Sequence, residues 1–412
     1  MLQMQAQGTR YRRPLFLERE WGFGGNTIKM EFRKDPGAHN QRLRVLADPG
    51  VDPGESNPYT RLLYSNMRSC VEGFSYSRAL SIKYDIVHIH WPEWQLGYSG
   101  RRIRTLFGLQ ANLYAIDVLR ARGAKLVWTV HNLKAHDGLH PRLEAWFWER
   151  FIPRLDGYIA LTAGGRAAAQ ERFPRLRSIP GFVIPHGHYR GEYPDCGEAD
   201  ARQELGLPGE AKVILFFGKI RPYKNVPALI EAFKQAELRK TVLLVAGEAP
   251  SLESQRDLQR RAGTDPRIQL SVRAIPHADV CRYFRAADLV VLPFLDVLNS
   301  GSALLSLSFN RPVLVPQLGA MSELAEEVGP EWVRTYSGRL TGGGLADALS
   351  WAVGTRRPRE APLGHLEWPK ISLRTTLAYE QLLGFPDFGR QLNPSDQCPA
   401  LRDAELRAAQ RN

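Results

Sequence analysis

The sequence predicts an α/β protein of two doubly wound domains, and three observations carry that prediction. Short apolar and β-branched runs of strand length recur along the chain with amphipathic helical patterns between them, as in parallel sheets buried on both faces. These runs fall into two similar groups of five. At 412 residues the chain is too long for one hydrophobic core and long enough for two, which leaves room for a cleft between them.

Taken in order, the first group is RLRVLAD (42–48), YDIVHIHW (84–91), AKLVWTVHN (124–132), DGYIALT (156–162) and GFVIPHG (181–187). Helical patterns lie between, including TRLLYSNM and the run from Ile103 to Arg122. The second group is KVILFFG (212–218), TVLLVAG (241–247), RIQLSV (267–272), ADLVVLPF (287–294) and RPVLVP (311–316). Between the groups, HGHYRGEYPDCGEAD breaks every periodicity, so a boundary is expected near residues 187–200. The expected division is 40–190, 191–370, a closing helix at 371–384 (ISLRTTLAYEQLLG), and a polar tail at 385–412.

A net charge of +12 and a pI near 9.6 call for an anionic partner: nucleic acid, nucleotide, phospholipid headgroup or diphosphate. The basic residues are scattered and match no nucleic-acid-binding signature, so no nucleic-acid partner is expected. Cys70, Cys196, Cys281 and Cys398 form no CxxC pair. They predict neither a zinc site nor a disulfide framework, and they fit a reducing compartment. The N-terminal stretch lacks a signal-peptide core, and no segment approaches the roughly 18 apolar residues of a membrane span. A soluble or membrane-associated protein is expected.

In open α/β sheets ligands sit beyond the carboxyl ends of the strands, so the residues following each run carry the functional expectations. After the first strand, DPGVDPGESNPYTRLLY leads into a helix and offers Ser56, Asn57 and Tyr59 to a ligand. After the second, HIHWPEWQ places His88, His90, Trp91, Glu93 and Trp94 where aromatic rings and a carboxylate suit a sugar face and its hydroxyls. At least one of the alternating histidines is expected to be satisfied within the sheet. After the third, TVHNLKAHDGLHP carries His131, Asn132, His136, Asp137 and His140, whose spacing matches no metal-ligand signature and fits acid–base work better.

In the second group, GKIRPYKN sets Arg221 and Lys224 between a strand and a helix N-terminus, a planar fork and a point charge suited to phosphate oxygens. PFLDVLNSGSALLSLSFNRPVLVP then places Asn299, Ser300, Gly301 and Ser302 at the start of another helix, a second anion cradle. Two such sites in one domain point to a diphosphate.

Strand-GKIRPYKN-helix, VAGE, HADVCRYFRAADLVVLPF and SGSALLSLSFNRPVLVP together resemble the nucleotide-sugar-binding domain of GT-B glycosyltransferases, over most of residues 40–385. The resemblance implies two Rossmann-like domains facing a cleft. It also implies a nucleotide-sugar donor held by Gly218, Arg221, Lys224, Gly247, Glu248, Asn299, Ser300, Gly301 and Ser302. DIVHIHWPEW and SGSALLSLSFNRPVLVPQLGAMSELAEEVG are similar to the bacterial GDP-mannose:glycolipid 4-β-D-mannosyltransferases of exopolysaccharide assembly. That likeness implies transfer of mannose from GDP-mannose to a polyprenyl-diphosphate-linked oligosaccharide by a cytoplasmic enzyme, peripheral on the inner face of the bacterial plasma membrane. A UDP-sugar donor is the alternative.

One departure from the pattern bears on mechanism. Many retaining GT-B enzymes carry two glutamates in an E-x7-E arrangement, and the corresponding positions here are Val297 and Leu305. An inverting reaction is therefore expected, without cofactor or metal, because fixed cations can stabilise the leaving diphosphate. Its general base would be Glu93, Asp137 or His131, with Glu93 favoured, and Ser56, Asn57, Tyr59, His90 and Trp91 would contact the acceptor. RRIRTLFGLQANLY (101–114) and LEAWFWERF (143–151), which put Arg beside large apolar residues, are the expected membrane-facing helices.

Overall fold

The computed structural model describes residues 42–51, 58–96, 102–135, 140–299 and 301–385. Among them, twelve strands form two six-stranded, all-parallel sheets. The first contains β1 (Arg44–Asp48), β2 (Cys70–Gly73), β3 (Ile86–Ile89), β4 (Lys125–Val130), β5 (Gly157–Ala160) and β6 (Gly181–Val183), ordered β2-β1-β3-β4-β5-β6. The second contains β7 (Lys212–Phe217), β8 (Thr241–Ala246), β9 (Ile268–Ser271), β10 (Leu289–Val291), β11 (Val313–Pro316) and β12 (Val333–Tyr336), ordered β12-β11-β10-β7-β8-β9. In each sheet the winding reverses once, between β1 and β3 and between β7 and β10, and the reversal opens a crevice at the carboxyl ends of those strands.

Alternation along the strands builds the cores. Val45, Ala47, Ile86 and Val127 face one side of the first sheet, while Leu46, Val87, Leu126 and Trp128 face the other. The helix Trp368–Leu382 covers the first of these sides with Trp368, Ile371, Ala378 and Tyr379, and Ser372 Oγ donates to the Leu63 carbonyl at 2.6 Å. The chain thus crosses back from the second sheet to complete the core of the first.

Three sequence expectations are corrected. The segment 143–151 turns three of its four rings inward: Phe147, Trp148 and Phe151 are buried and pack with Trp128 and Phe173 in the first core, and only Trp146 is left half-buried beneath Arg150. A helix patterned with Arg beside aromatic residues reads the same whether its rings enter a core or a bilayer. Secondly, Cys196 and Cys281 form a disulfide, with Cα atoms 6.2 Å apart and a sequence separation of 85. The loop after β6 returns across the helix Val280–Ala286, a proximity that spacing alone hides. Thirdly, β2 and β12 were not anticipated. Both are four-residue edge strands with little buried surface, so neither shows the apolar run of the inner strands.

Gly247, at the end of β8, holds a φ of +145°, and a Cβ there would lie 2.6 Å from the Gly218 carbonyl carbon at the end of β7. Two strand ends meet closely here because neither residue has a side chain. Gly247→Ala is expected to cost at least about 2 kcal/mol of stability. Urea unfolding checks this, and an unchanged midpoint would contradict the close approach.

Candidate functional site

The site grows from the crevice of the second sheet. β7 ends at Phe217, Gly218 turns the chain with φ +124°, and the turn Pro222–Lys224 delivers Lys224 back over the strand end. Asn225, in the left-handed conformation that asparagine tolerates, starts the helix Val226–Gln235. A Cβ on Gly218 would lie 3.1 Å from Lys224 Nζ and 3.5 Å from Ser302 Oγ, so three groups converge on one point. Ser302 is the second residue of the helix Gly301–Ser308, whose N-terminus lies at the same crevice.

Lys224 is buried, with its ammonium 5.6 Å from the centre of the Phe294 ring. Burial, reinforced by the Arg221 and Lys219 charges, lowers its pKa from 10.5 to about 8. Among the described residues no carboxylate pairs with it. A largely desolvated ammonium without a counter-charge is a site prepared for an anion. Glu248, by contrast, is exposed at the surface, where its backbone carbonyl accepts from Ile220 N at 2.8 Å.

Across the crevice the first half contributes a cluster of rings. A Cβ on Gly301 would lie 3.2 Å from Tyr189 OH and 3.7 Å from His186 Nε2. The His186 ring sits 4.8 Å from Tyr59, and Tyr59 sits 4.8 Å from His131 and 6.3 Å from Trp91. His131 stacks on Trp91 at 4.3 Å, and Trp91 stacks on Trp94 at 4.7 Å. A continuous chain of rings thus leads from the anion cradle to the end of β3. Asn299 Nδ2 donates to the Val130 and His131 carbonyls at 3.2 and 3.0 Å, tying the two halves together at this point.

Beneath the rings lies a buried polar network. His88 Nε2 meets Thr129 Oγ1 at 2.7 Å, and its Nδ1 meets Tyr379 OH at 2.6 Å and Tyr64 OH at 3.0 Å. Tyr64 OH also meets His90 Nε2 at 2.6 Å, and His90 Nδ1 meets His131 Nε2 at 3.2 Å. Burial lowers the pKa of His88 to about 3 and of His186 to about 4, and holds His90 and His131 well below the usual imidazole range. All four rings are neutral at pH 7, so each can donate once and accept once along the network. His131 consequently takes up a proton reluctantly.

Glu93 behaves in the opposite way. It lies on the one-turn helix Pro92–Leu96 that follows β3, is 2 % exposed, and accepts a 2.6 Å hydrogen bond from Asn132 Nδ2 on Oε1. Its Oε2 is buried with no hydrogen-bond partner. Burial raises its pKa from 4.5 to about 7, against the opposing effect of the Asn132 bond. A carboxylate with a vacant lone pair and a pKa near neutrality is suited to accept a proton.

Of the sequence-predicted residues, the structure gathers Gly218, Lys224, Gly247, Asn299, Gly301 and Ser302 at the second crevice, and Arg221 opens the turn that carries Lys224. Tyr59, His90, Trp91 and His131 come together in the ring cluster, with Glu93 beside Asn132. Ser56, Asn57, Asp137 and Ser300 lie outside the described residues. Sequence reasoning missed His186, near the end of the run GFVIPHG, and Tyr189, in the aperiodic stretch that follows it. It also missed Asp48, the last residue of β1, concealed by the Pro-Gly that follows it. Position at a strand's carboxyl end was the available signal for Asp48 and His186.

The sequence has relatives that bear on this geometry. The family model described as "Glycosyl transferases group 1" matches residues 211–351. A GDP-mannose:glycolipid 4-beta-D-mannosyltransferase of Xanthomonas campestris pv. campestris is 30% identical over 351 residues, covering 83% of this chain and 93% of that protein. Among solved structures, HepE of Anabaena in complex with UDP-glucose superposes with a TM-score of 0.54 at 16% identity, covering 83% of this chain and 96% of that one. Sucrose-phosphate synthase of Thermosynechococcus elongatus gives 0.53 at 19% identity, covering 73% and 74%. These two likenesses establish the two-sheet GT-B fold.

Proposed function

This chain belongs to the glycosyltransferase family that contains the GDP-mannose:glycolipid 4-beta-D-mannosyltransferases, and from that premise we propose that it transfers mannose from GDP-mannose to a lipid-diphosphate-linked glycan with inversion. The observation that carries this reading is Lys224, a buried ammonium that no carboxylate among the described residues pairs, facing Gly218 and Ser302 at the winding reversal of the second sheet. The donor diphosphate would lie against Lys224, the Gly301–Ser308 helix N-terminus and Arg221. That arrangement supports a reaction needing no metal: as the bond from the anomeric carbon to the phosphate oxygen breaks, its electrons stay with GDP, and the fixed cations stabilise that charge.

The acceptor hydroxyl attacks the anomeric carbon from the opposite face and gives its proton to Glu93. The pKa contrast between Glu93 and the neutral, reluctant His131 supports that assignment. Leu305 is a buried apolar residue of the helix Gly301–Ser308, and neither it nor Val297 supplies a carboxylate to a second displacement. Their apolar side chains favour the single displacement proposed here. Transfer from GDP-mannose to a polyprenyl-diphosphate glycan, with the new linkage read by NMR, tests this: a β-linked product is expected. An α-linked product would overturn inversion, and transfer from UDP-glucose alone would overturn the donor. A place in exopolysaccharide synthesis belongs to the same proposal, and the glycolipid acceptor in the Xanthomonas relative's name is compatible with it.

Among the described residues no helix is long and apolar enough to cross a membrane. Helix Arg102–Ala121 nevertheless exposes Ile103 (71 %), Phe107 (65 %) and Tyr114 (65 %) on one face, beside exposed Arg102 and Arg104. We assign this face to the bilayer that would carry the acceptor, its arginines meeting anionic headgroups. Flotation with anionic liposomes should recover the protein at low salt, and Ile103→Ser with Phe107→Ser should lower the bound fraction about tenfold. Equal flotation of the double variant would remove the helix from the interface.

A further inference from the structure

The winding reversal of the first sheet opens a cavity of about 510 Å³ that the donor chemistry does not use. Asp48, at the end of β1, lies in its wall with Trp91 and Trp94 from beyond β3, Phe74 and Tyr76 from beyond β2, and Asn112 from the helix Arg102–Ala121. We propose that this cavity is the subsite for the acceptor's terminal sugar, with Trp94, backed by Trp91, as its stacking wall and Asp48 as the carboxylate that holds a ring hydroxyl.

Composition points to a saccharide in particular. A pyranose offers an apolar C–H face and a rim of hydroxyls, and it is matched by flat rings beside a few hydrogen-bonding groups. The Trp91 and Trp94 rings are parallel to within 6°, and Trp94 stays 44 % exposed. Asn112 Oδ1 accepts from Tyr76 OH at 2.7 Å, which fixes a polar edge opposite the aromatic ones. Among the described residues the Asp48 carboxylate has no hydrogen-bond or ion-pair partner, and burial raises its pKa. A carboxylate left unpaired in a cavity wall is a binding group awaiting hydroxyl donors.

Position agrees with composition. Trp91 is sandwiched between Trp94 and His131, so a sugar stacked on the outer face of Trp94 lies at the end of the ring stack that leads toward the proposed donor cradle. On its other side the cavity meets Arg104, one residue from Ile103 and three from Phe107 on the exposed apolar face. A glycan on an anionic linker to lipid has that order of chemistry: sugar, phosphate, hydrocarbon.

This inference rests on the glycosyl-transfer reading, and its test separates the two. The full chain, with and without GDP, is examined by saturation-transfer NMR against methyl glycosides of mannose, glucose, glucuronic acid and N-acetylglucosamine. At least one glycoside is expected to be saturated through its ring C–H protons. Trp94→Ala should weaken that binding about tenfold, Asp48→Asn should weaken it comparably, and GDP binding should not change in either. If GDP binds and no glycoside does, or if the glycosides bind Trp94→Ala and Asp48→Asn as well as the unaltered protein, the subsite is refuted and the donor reading stands. If a glycoside binds in a Trp94-dependent way while GDP does not, the subsite stands and the donor reading falls.

Discussion

Replacing Lys224 by Met is expected to lower kcat/KM for the nucleotide sugar by about 100- to 1000-fold while making the ligand-free protein more stable at pH 7. Both effects come from one fact: burial of an ammonium with no carboxylate partner among the described residues, which lowers its pKa from 10.5 to about 8. A cation whose folded pKa is depressed contributes full stability only above its unfolded value, and that contribution is lost as pH falls through the folded value. At pH 7 the folded protein therefore carries the whole cost of the buried charge. A bound diphosphate removes that cost by supplying the missing counter-charge, and Met removes it without binding anything. A variant of lower stability with unimpaired turnover would show that Lys224 is a structural residue.

Glu93→Gln is expected to lower kcat by about 100- to 10 000-fold and leave GDP binding intact. Its stability effect has the opposite pH dependence to that of Lys224. A carboxyl whose folded pKa is raised contributes stability that is complete below the unfolded value of 4.5 and is lost as pH rises through about 7. The variant should accordingly be more stable than the parent at pH 8, by up to about 3 kcal/mol, with the difference vanishing toward pH 4. Thermal melts across that range would read it directly, and a variant that is less stable at pH 8 would mean that Glu93 serves the fold.

Together the two groups define a pH profile. Glu93 is a competent base above about pH 7 and Lys224 a competent cation below about pH 8, so kcat/KM should rise through the first value and fall beyond the second. Donor phosphates beside Lys224 hold its proton, so the alkaline limb of kcat should lie at higher pH than that of kcat/KM.

How far the sequence revealed this depended on whether a signal was local. The inner strands were legible because burial on both faces writes an unbroken apolar run, as in VILFF and VLLVA. The convergence of Gly218 and Lys224 beyond the strand end, proposed here as a donor cradle, was legible for the same local reason: strand, Gly218, Arg221 and Lys224 follow one another within a single turn. The edge strand CVEG was not, since an exposed strand has no run to read. Contacts made over long sequence separation were beyond reach. Tyr379 meets His88 across 291 residues, and nothing near either position announces the other. The expectation that one alternating histidine would be satisfied inside the sheet is met by His88, held between Thr129 and two tyrosines. Trp148 and Phe151 illustrate the converse limit, because an aromatic stripe records that rings are buried and not what buries them.

The donor assignment is tested most directly by isothermal titration of the full chain and of Lys224→Met with GDP, GDP-mannose, UDP and UDP-glucose. The account predicts that GDP and GDP-mannose bind the unaltered protein in preference to the uridine compounds, and that Lys224→Met weakens the guanosine ligands at least about tenfold, or ~1.4 kcal/mol. Preference for the uridine ligands, or guanosine binding indifferent to Lys224, would contradict it.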